Sequence, residues 1–174
     1  MPQSNSSALT ASRIALHILI VLNILFGLAI FALLVATLVA EVPVIDALGV
    51  RIAEGREMVI QGMRLIMLIG IAAVPLAHIV LTRLLAIVKT VAGGDPFVTI
   101  NAERLRAIAW AMLGLQLLHI LVGAAAVAIR SRQVPLDVDW EPSVSGWLAV
   151  LLLFVLARVF NEGARMRDDL EGTV

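Results

Sequence analysis

The sequence predicts an all-α fold, an integral membrane four-helix bundle, on three observations. Mean hydropathy is +1.02 and 61% of the 174 residues are hydrophobic, well above the roughly 45–50% of soluble domains. The apolar residues fall into four long runs, and the charged residues gather between and after those runs. A soluble domain of this length has too little interior for so much Leu, Val, Ile and Ala, so the remaining apolar surface faces lipid.

A Ser-rich start precedes the first run, 14–40, which is uncharged and too long for the core of a cleavable signal peptide, so it reads as a retained span. The second run, 65–88, contains Pro75 and is interrupted by Arg83, near enough to one end for its guanidinium to reach the headgroups. The third, 107–129, has spanning length and no charge, although it carries Trp110, Gln116 and His119. The fourth, 144–160, is trimmed by Arg158, while Trp140 and Trp147 at its start fit an interfacial aromatic belt. The whole chain is one membrane domain, with outer loops 41–64 and 130–143, an inner loop 89–106 and an inner tail 161–174.

Four spans put both termini on one side. That side carries Arg13, Arg83, Lys89, Arg104, Arg106, Arg158, Arg165 and Arg167, against Arg51, Arg56, Arg64, Arg130 and Arg132 on the other. The positive-inside rule therefore places both termini in the cytoplasm. The first outer loop either carries a short interfacial helix, with Val44, Ile45, Leu48 and Ile52 near helical spacing, or forms an irregular cap.

The inner loop has a local reason for each part. Gly93 and Gly94 suit the left-handed conformation that ends a helix, and Pro96 prevents its resumption. Asn101 is placed to cap the next helix through its side-chain oxygen, and Glu103 suits the positive end of that helix's dipole. Phe97 is left as an apolar plug at the membrane surface. The loop serves either as a well-made turn or as a docking surface for a partner.

Asp95-Pro96-Phe97 with Asn101-Ala102, Arg104-Leu105 and Ile108, and the ending with Phe160, Gly163, Asp168-Asp169-Leu170 and Thr173-Val174, resemble the bacterial membrane family called domain of unknown function 2975, over nearly the whole chain. The resemblance implies a small inner-membrane protein of unassigned activity, whose relatives are often encoded beside a small helix-turn-helix regulator. It carries no catalytic residue. Phe97, Asn101, Arg104 and Leu105 come over as motif positions and stand as candidates for partner binding.

Within the spans the polar residues are His17, Asn23, His78, Gln116 and His119. Polar groups in hydrocarbon turn towards neighbouring helices, and Gln116, His119, Met112 and Gly123 share one helix face. Three uses are open: interhelical packing, a proton or solute path through His78, Gln116 and His119, or a haem or metal between His78 and His119. Alanines every four residues, Ala32-Ala36-Ala40, Ala73-Ala77 and Ala124-Ala128, allow close helix packing or a homodimer seam.

The net charge is zero and no run is polybasic, so no direct nucleic-acid partner is expected. With no cysteine there is no disulfide, thiolate metal site or cysteine nucleophile. The metalloprotease helix motif, the Gly-x-Ser-x-Gly elbow and the phosphate loop are also absent, so no enzyme is expected. The favoured expectation is a non-enzymatic interaction or sensory protein that holds a cytoplasmic partner on its inner loop and tail. The alternatives are a small transporter component and a haem-binding redox subunit.

Overall fold

The computed structural model describes residues 3–47, 56–130, 141 and 143–171. These form five helices: α1 (Gln3–Val39), α2 (Glu41–Ala47), α3 (Arg56–Ala92), α4 (Thr99–Arg130) and α5 (Val144–Glu171). All but α2 are long and apolar enough to cross a membrane. Leu48, Ile52 and Trp140, read from the sequence as amphipathic and interfacial positions, lie outside the described residues.

The long helices outrun the apolar runs. α1 begins in the Ser-rich start, α3 begins at Arg56, α4 takes in residues 99–106 of the expected inner loop, and α5 carries much of the expected tail to Glu171. Apolar runs mark where lipid ends; the backbone hydrogen bonds of a helix continue into water at little cost wherever the side chains have fair helix propensity. At about 1.5 Å per residue, α1 and α3, with 37 residues each, reach roughly 55 Å against a hydrocarbon core of about 30 Å.

The helices pack side by side in the order α1, α3, α4, α5, each antiparallel to the next. The four long helices of the expected bundle form an open row: among the described helices α1 meets only α3 and α2, and α5 meets only α4, so no α1–α5 seam closes a ring. Lipid tails are as apolar as leucine, so an apolar helix face gains nothing by meeting another helix unless packing or hydrogen bonds favour it. α1 accordingly exposes Val21, Leu28 and Phe31 on several sides, and Phe26 to 64%.

A row of α1 residues turned inward, Leu16, Ile20, Asn23, Gly27, Ile30, Leu34 and Thr37, alternates steps of four and three, with Leu33 and Ala36 half-buried beside it. That is the spacing of a left-handed coiled-coil seam. Gly27 faces Val74, Ile30 faces Gly70, and the Asn23 amide donates to the Val74 carbonyl at 3.1 Å. The far end of the seam is held by Arg64, whose guanidinium donates to the Thr37 carbonyl at the end of α1 and to the Glu41 carboxylate at 2.8 Å. Short α2 is a helix at the start of the expected first outer loop; it follows α1 after a bend at Ala40, with the Ala40 and Val44 N–H groups still bonded to the Ala36 and Ala40 carbonyls, and Ile45 is fully buried.

Close approaches occur at glycines: a side chain at Gly114 would press on Leu76. Of the alanine rows, Ala36, Ala40, Ala73 and Ala77 are half-buried, whereas Ala32, Ala124 and Ala128 are exposed. α3 ends as expected: Gly94 has φ +84°, its N–H donates to the Val91 carbonyl, and the Asp95 N–H reaches the Thr90 carbonyl. This pair of bonds is the Schellman motif, for which glycine at the left-handed position is favoured.

Candidate functional site

Two regions concentrate polar groups. The first is the end of the row that holds the α3–α4 turn and the C-terminal part of α5, here called the terminal face. Asn101 is fully buried there (0% exposed). It is not the cap of α4 that its sequence position suggested, because the helix starts at Thr99 and Asn101 already lies in its first turn, with its own N–H bonded to the Val98 carbonyl. Its side chain ties two helices together instead. The amide nitrogen donates to Thr90 Oγ1 at 2.8 Å and to the Pro96 carbonyl at 2.9 Å, and the amide oxygen accepts from Arg104 Nη1 at 2.9 Å. Thr90 in turn donates to the Ile87 carbonyl, and Arg104 also reaches the Ala86 carbonyl at 3.1 Å. Every polar atom of the buried amide is thus paired, as burial in a weakly polar setting demands.

Of the four motif positions, Asn101 and Leu105 are inside the protein and Arg104 is turned to α3. Phe97 alone is largely exposed, at 47%. Its ring lies 5.2 Å from that of Phe160 and rests on Gly163, while Asp95 pairs with Arg167. These contacts join the α3–α4 turn to the outer part of α5, which also shows Met166 (58% exposed) and the exposed side chains of Glu162 and Arg165. Phe160 and Gly163 had been noted only as parts of a resemblance; nothing in their spacing from Phe97 revealed the contact.

The second region is the set of polar groups within the spans. Gln116 is turned inward, 9% exposed, and lies so close to Gly146 of α5 that a Cβ there would fall 1.4 Å from its amide nitrogen. Gly146 is therefore a partner that the sequence reading missed. Gly123 is buried on the same face, as expected, whereas His119 lies at its exposed edge with Nε2 3.3 Å from the Glu141 carbonyl. His17 is exposed and its Nδ1 meets the Arg13 carbonyl one turn away, at 2.7 Å.

His78 and His119 are not brought together. Leu76 lies against Gly114 and the Ala86 carbonyl against Arg104, so His78 is level with Met112, and His119 is about two turns, or about 10 Å, further along α4. His78 also continues the row of Gly70 and Val74 that meets α1, roughly 160° around α3 from Leu76. One iron cannot take both imidazoles in this arrangement. Among the described residues no group of three or more His, Asp or Glu side chains is placed to hold a metal ion.

Fold and polar groups together define a multi-pass membrane protein of four long helices with a side-chain-built join on its terminal face. Within that class, the chain belongs to the family described as protein of unknown function (DUF2975), whose model matches residues 40–174. The match takes in α2 through α5 and leaves out α1, a narrower coverage than the nearly complete one expected. No curated protein and no solved structure matches the chain.

Proposed function

We propose that this is a non-enzymatic interaction or sensory protein of the bacterial inner membrane, with both termini in the cytoplasm, that holds a cytoplasmic protein on its terminal face. The observation that carries the reading is the join between turn and tail. Phe97 on Phe160 and Asp95 on Arg167 make one platform from segments far apart in sequence, with apolar Phe97 and Met166 displayed among Glu162 and Arg165. Exposed apolar side chains rimmed by charge, beyond the hydrocarbon, are the composition of a protein contact rather than of a lipid contact. The excess of Lys and Arg on this face supports its cytoplasmic placement.

Because the platform draws on both α4's entry and α5, a shift between those helices would alter it, which gives a membrane signal a route to the partner. A small helix-turn-helix regulator is the partner class we favour, on the resemblance alone. Affinity purification of the tagged chain from its native membrane tests the reading. A cytoplasmic protein should co-purify with the parent chain and be lost with Phe97→Ala, which should keep parent helicity, or on removal of residues 161–174, which should lose only the helix of residues 161–171. Equal recovery of that protein with either variant would defeat the proposal.

A further inference from the structure

A cleft of about 450 Å³ opens between α4 and α5 beside the terminal face, lined by Glu103, Arg106, Phe154, Arg158, Glu162 and Arg165 among others. Trp110 meets Phe154 edge to face at 5.2 Å, and Gln116 lies on Gly146, so along the two antiparallel helices Arg106 is level with Arg158, and Glu103 with Asn161. The cleft is therefore layered. Its floor is aromatic; above it comes a pair of arginines, about one turn further out come the two carboxylates, and Arg165 stands at the mouth beyond them. None of Arg106, Arg158, Glu103 and Glu162 has an ion-pair or hydrogen-bond partner among the described residues.

The depth of the arginine pair matters. The uncharged stretch of α5 before Arg158 covers residues 144–157, about 21 Å of helix, shorter than a hydrocarbon core of about 30 Å. Arg158 is thus drawn towards lipid, where a guanidinium needs a counter-charge. Below the cleft, and sharing Phe154 with it, an almost wholly apolar groove of about 500 Å³ runs along α5 over Val144, Trp147, Leu148, Leu151 and Val155. From 155 back to 144 this is about 16 Å, close to the depth of one leaflet's hydrocarbon, about 15 Å.

We propose that cleft and groove together bind one amine-bearing phospholipid of the adjacent leaflet. Its phosphate sits between Arg106 and Arg158, its ammonium sits by Glu103 and Glu162, and an acyl chain lies in the Trp147–Phe154 groove. Guanidinium groups suit phosphate oxygens through charge-assisted hydrogen bonds, and basic pockets between membrane helices bind phospholipid headgroups. The two carboxylates further out attract an ammonium, so an amine head is favoured over an anionic head that lacks one, with Arg165 exposed at the mouth beyond them. The site borders the protein-partner platform proposed above and shares Glu162 with its rim, but lipid binding by the delipidated chain needs no protein partner, so either proposal can fail without the other.

The test is native mass spectrometry of the delipidated full chain in detergent, titrated with phosphatidylethanolamine, phosphatidylglycerol of the same acyl chains, and soluble phosphoethanolamine. We expect phosphatidylethanolamine to bind tightest and soluble phosphoethanolamine not to displace it at equal concentration. Arg106→Gln with Arg158→Gln should weaken both lipids about tenfold or more, and Glu103→Gln with Glu162→Gln should remove the preference for the amine head. Leu151→Trp, which fills the groove and leaves the headgroup cleft untouched, should also weaken lipid binding, so the proposal stays testable if the arginine variant misfolds. Equal binding of the two lipids by the parent chain, unchanged binding by the folded arginine or Leu151 variants, or displacement by the soluble headgroup would each overturn it.

Discussion

Replacing Gly146 by alanine tests the α4–α5 seam at its tightest point. The new Cβ would stand 1.4 Å from Gln116 Nε2, 2.5 Å from Cδ and 3.0 Å from Oε1, so the whole amide must leave its position. Gln116 is 9% exposed, and a displaced amide must either swing into lipid or push the helices apart. Overpacking of this kind costs about 1–3 kcal/mol. Gln116→Ala alone should cost less than Gly146→Ala, because no hydrogen bond to its amide is present among the described residues. The double variant should recover most of the loss, giving a coupling energy of about 1–3 kcal/mol between the two positions. The assay is reversible unfolding of the four proteins in mixed micelles by SDS titration, followed by helicity. Additive losses, with no recovery in the double variant, would refute the seam as described.

The other predictions concern the two ends of the row. Asn101→Leu keeps the volume roughly constant but takes one partner each from Arg104, Thr90 and the Pro96 carbonyl; it should cost about 1–3 kcal/mol in the same titration, and a parent-like midpoint would show that the network is dispensable. Arg64→Gln removes the cation that joins the end of α1 to Glu41. Its side chain is 24% exposed, so solvent moderates the loss, which should be about 1 kcal/mol. Faster amide exchange confined to α2 and the end of α1 should accompany it, and unchanged exchange there would contradict the anchoring role.

The elements that could be read from residues alone are those set by local chemistry or by lipid. Four apolar runs locate the four long helices, since only a helix satisfies its own backbone in hydrocarbon. Gly94 and Pro96 locate the end of α3, because few other residues accept that backbone. The contacts between helices were hidden for the same reason that the spans were plain. In α1 almost every side is apolar, so hydrophobic periodicity carries no seam; only Asn23, Gly27 and Thr37, small or polar residues at steps of four and ten, marked the side that meets α3. Gln116 was recognised as inward-facing, but its fit to Gly146 depends on the register of two helices separated in sequence by residues 131–143. Asn101 had the residue type and position of a cap and is used as a bridge, because Thr90 of the preceding helix lies within its reach. The open row of helices could not be read from the apolar runs, because lipid covers apolar faces whether or not the ends of the row meet.

The central claim, four crossings with both termini in the cytoplasm, can be measured directly because the chain contains no cysteine. Single cysteines at Leu28, Glu141, Leu151 and Glu162 would be probed with a membrane-impermeant maleimide on intact cells and again after lysis. The account predicts that Glu141→Cys is labelled from outside, that Glu162→Cys is labelled only after lysis, and that Leu28→Cys and Leu151→Cys are protected in both. Labelling of Glu162→Cys on intact cells would reverse the orientation, and ready labelling of Leu28→Cys or Leu151→Cys would contradict the placement of α1 or α5 in the membrane.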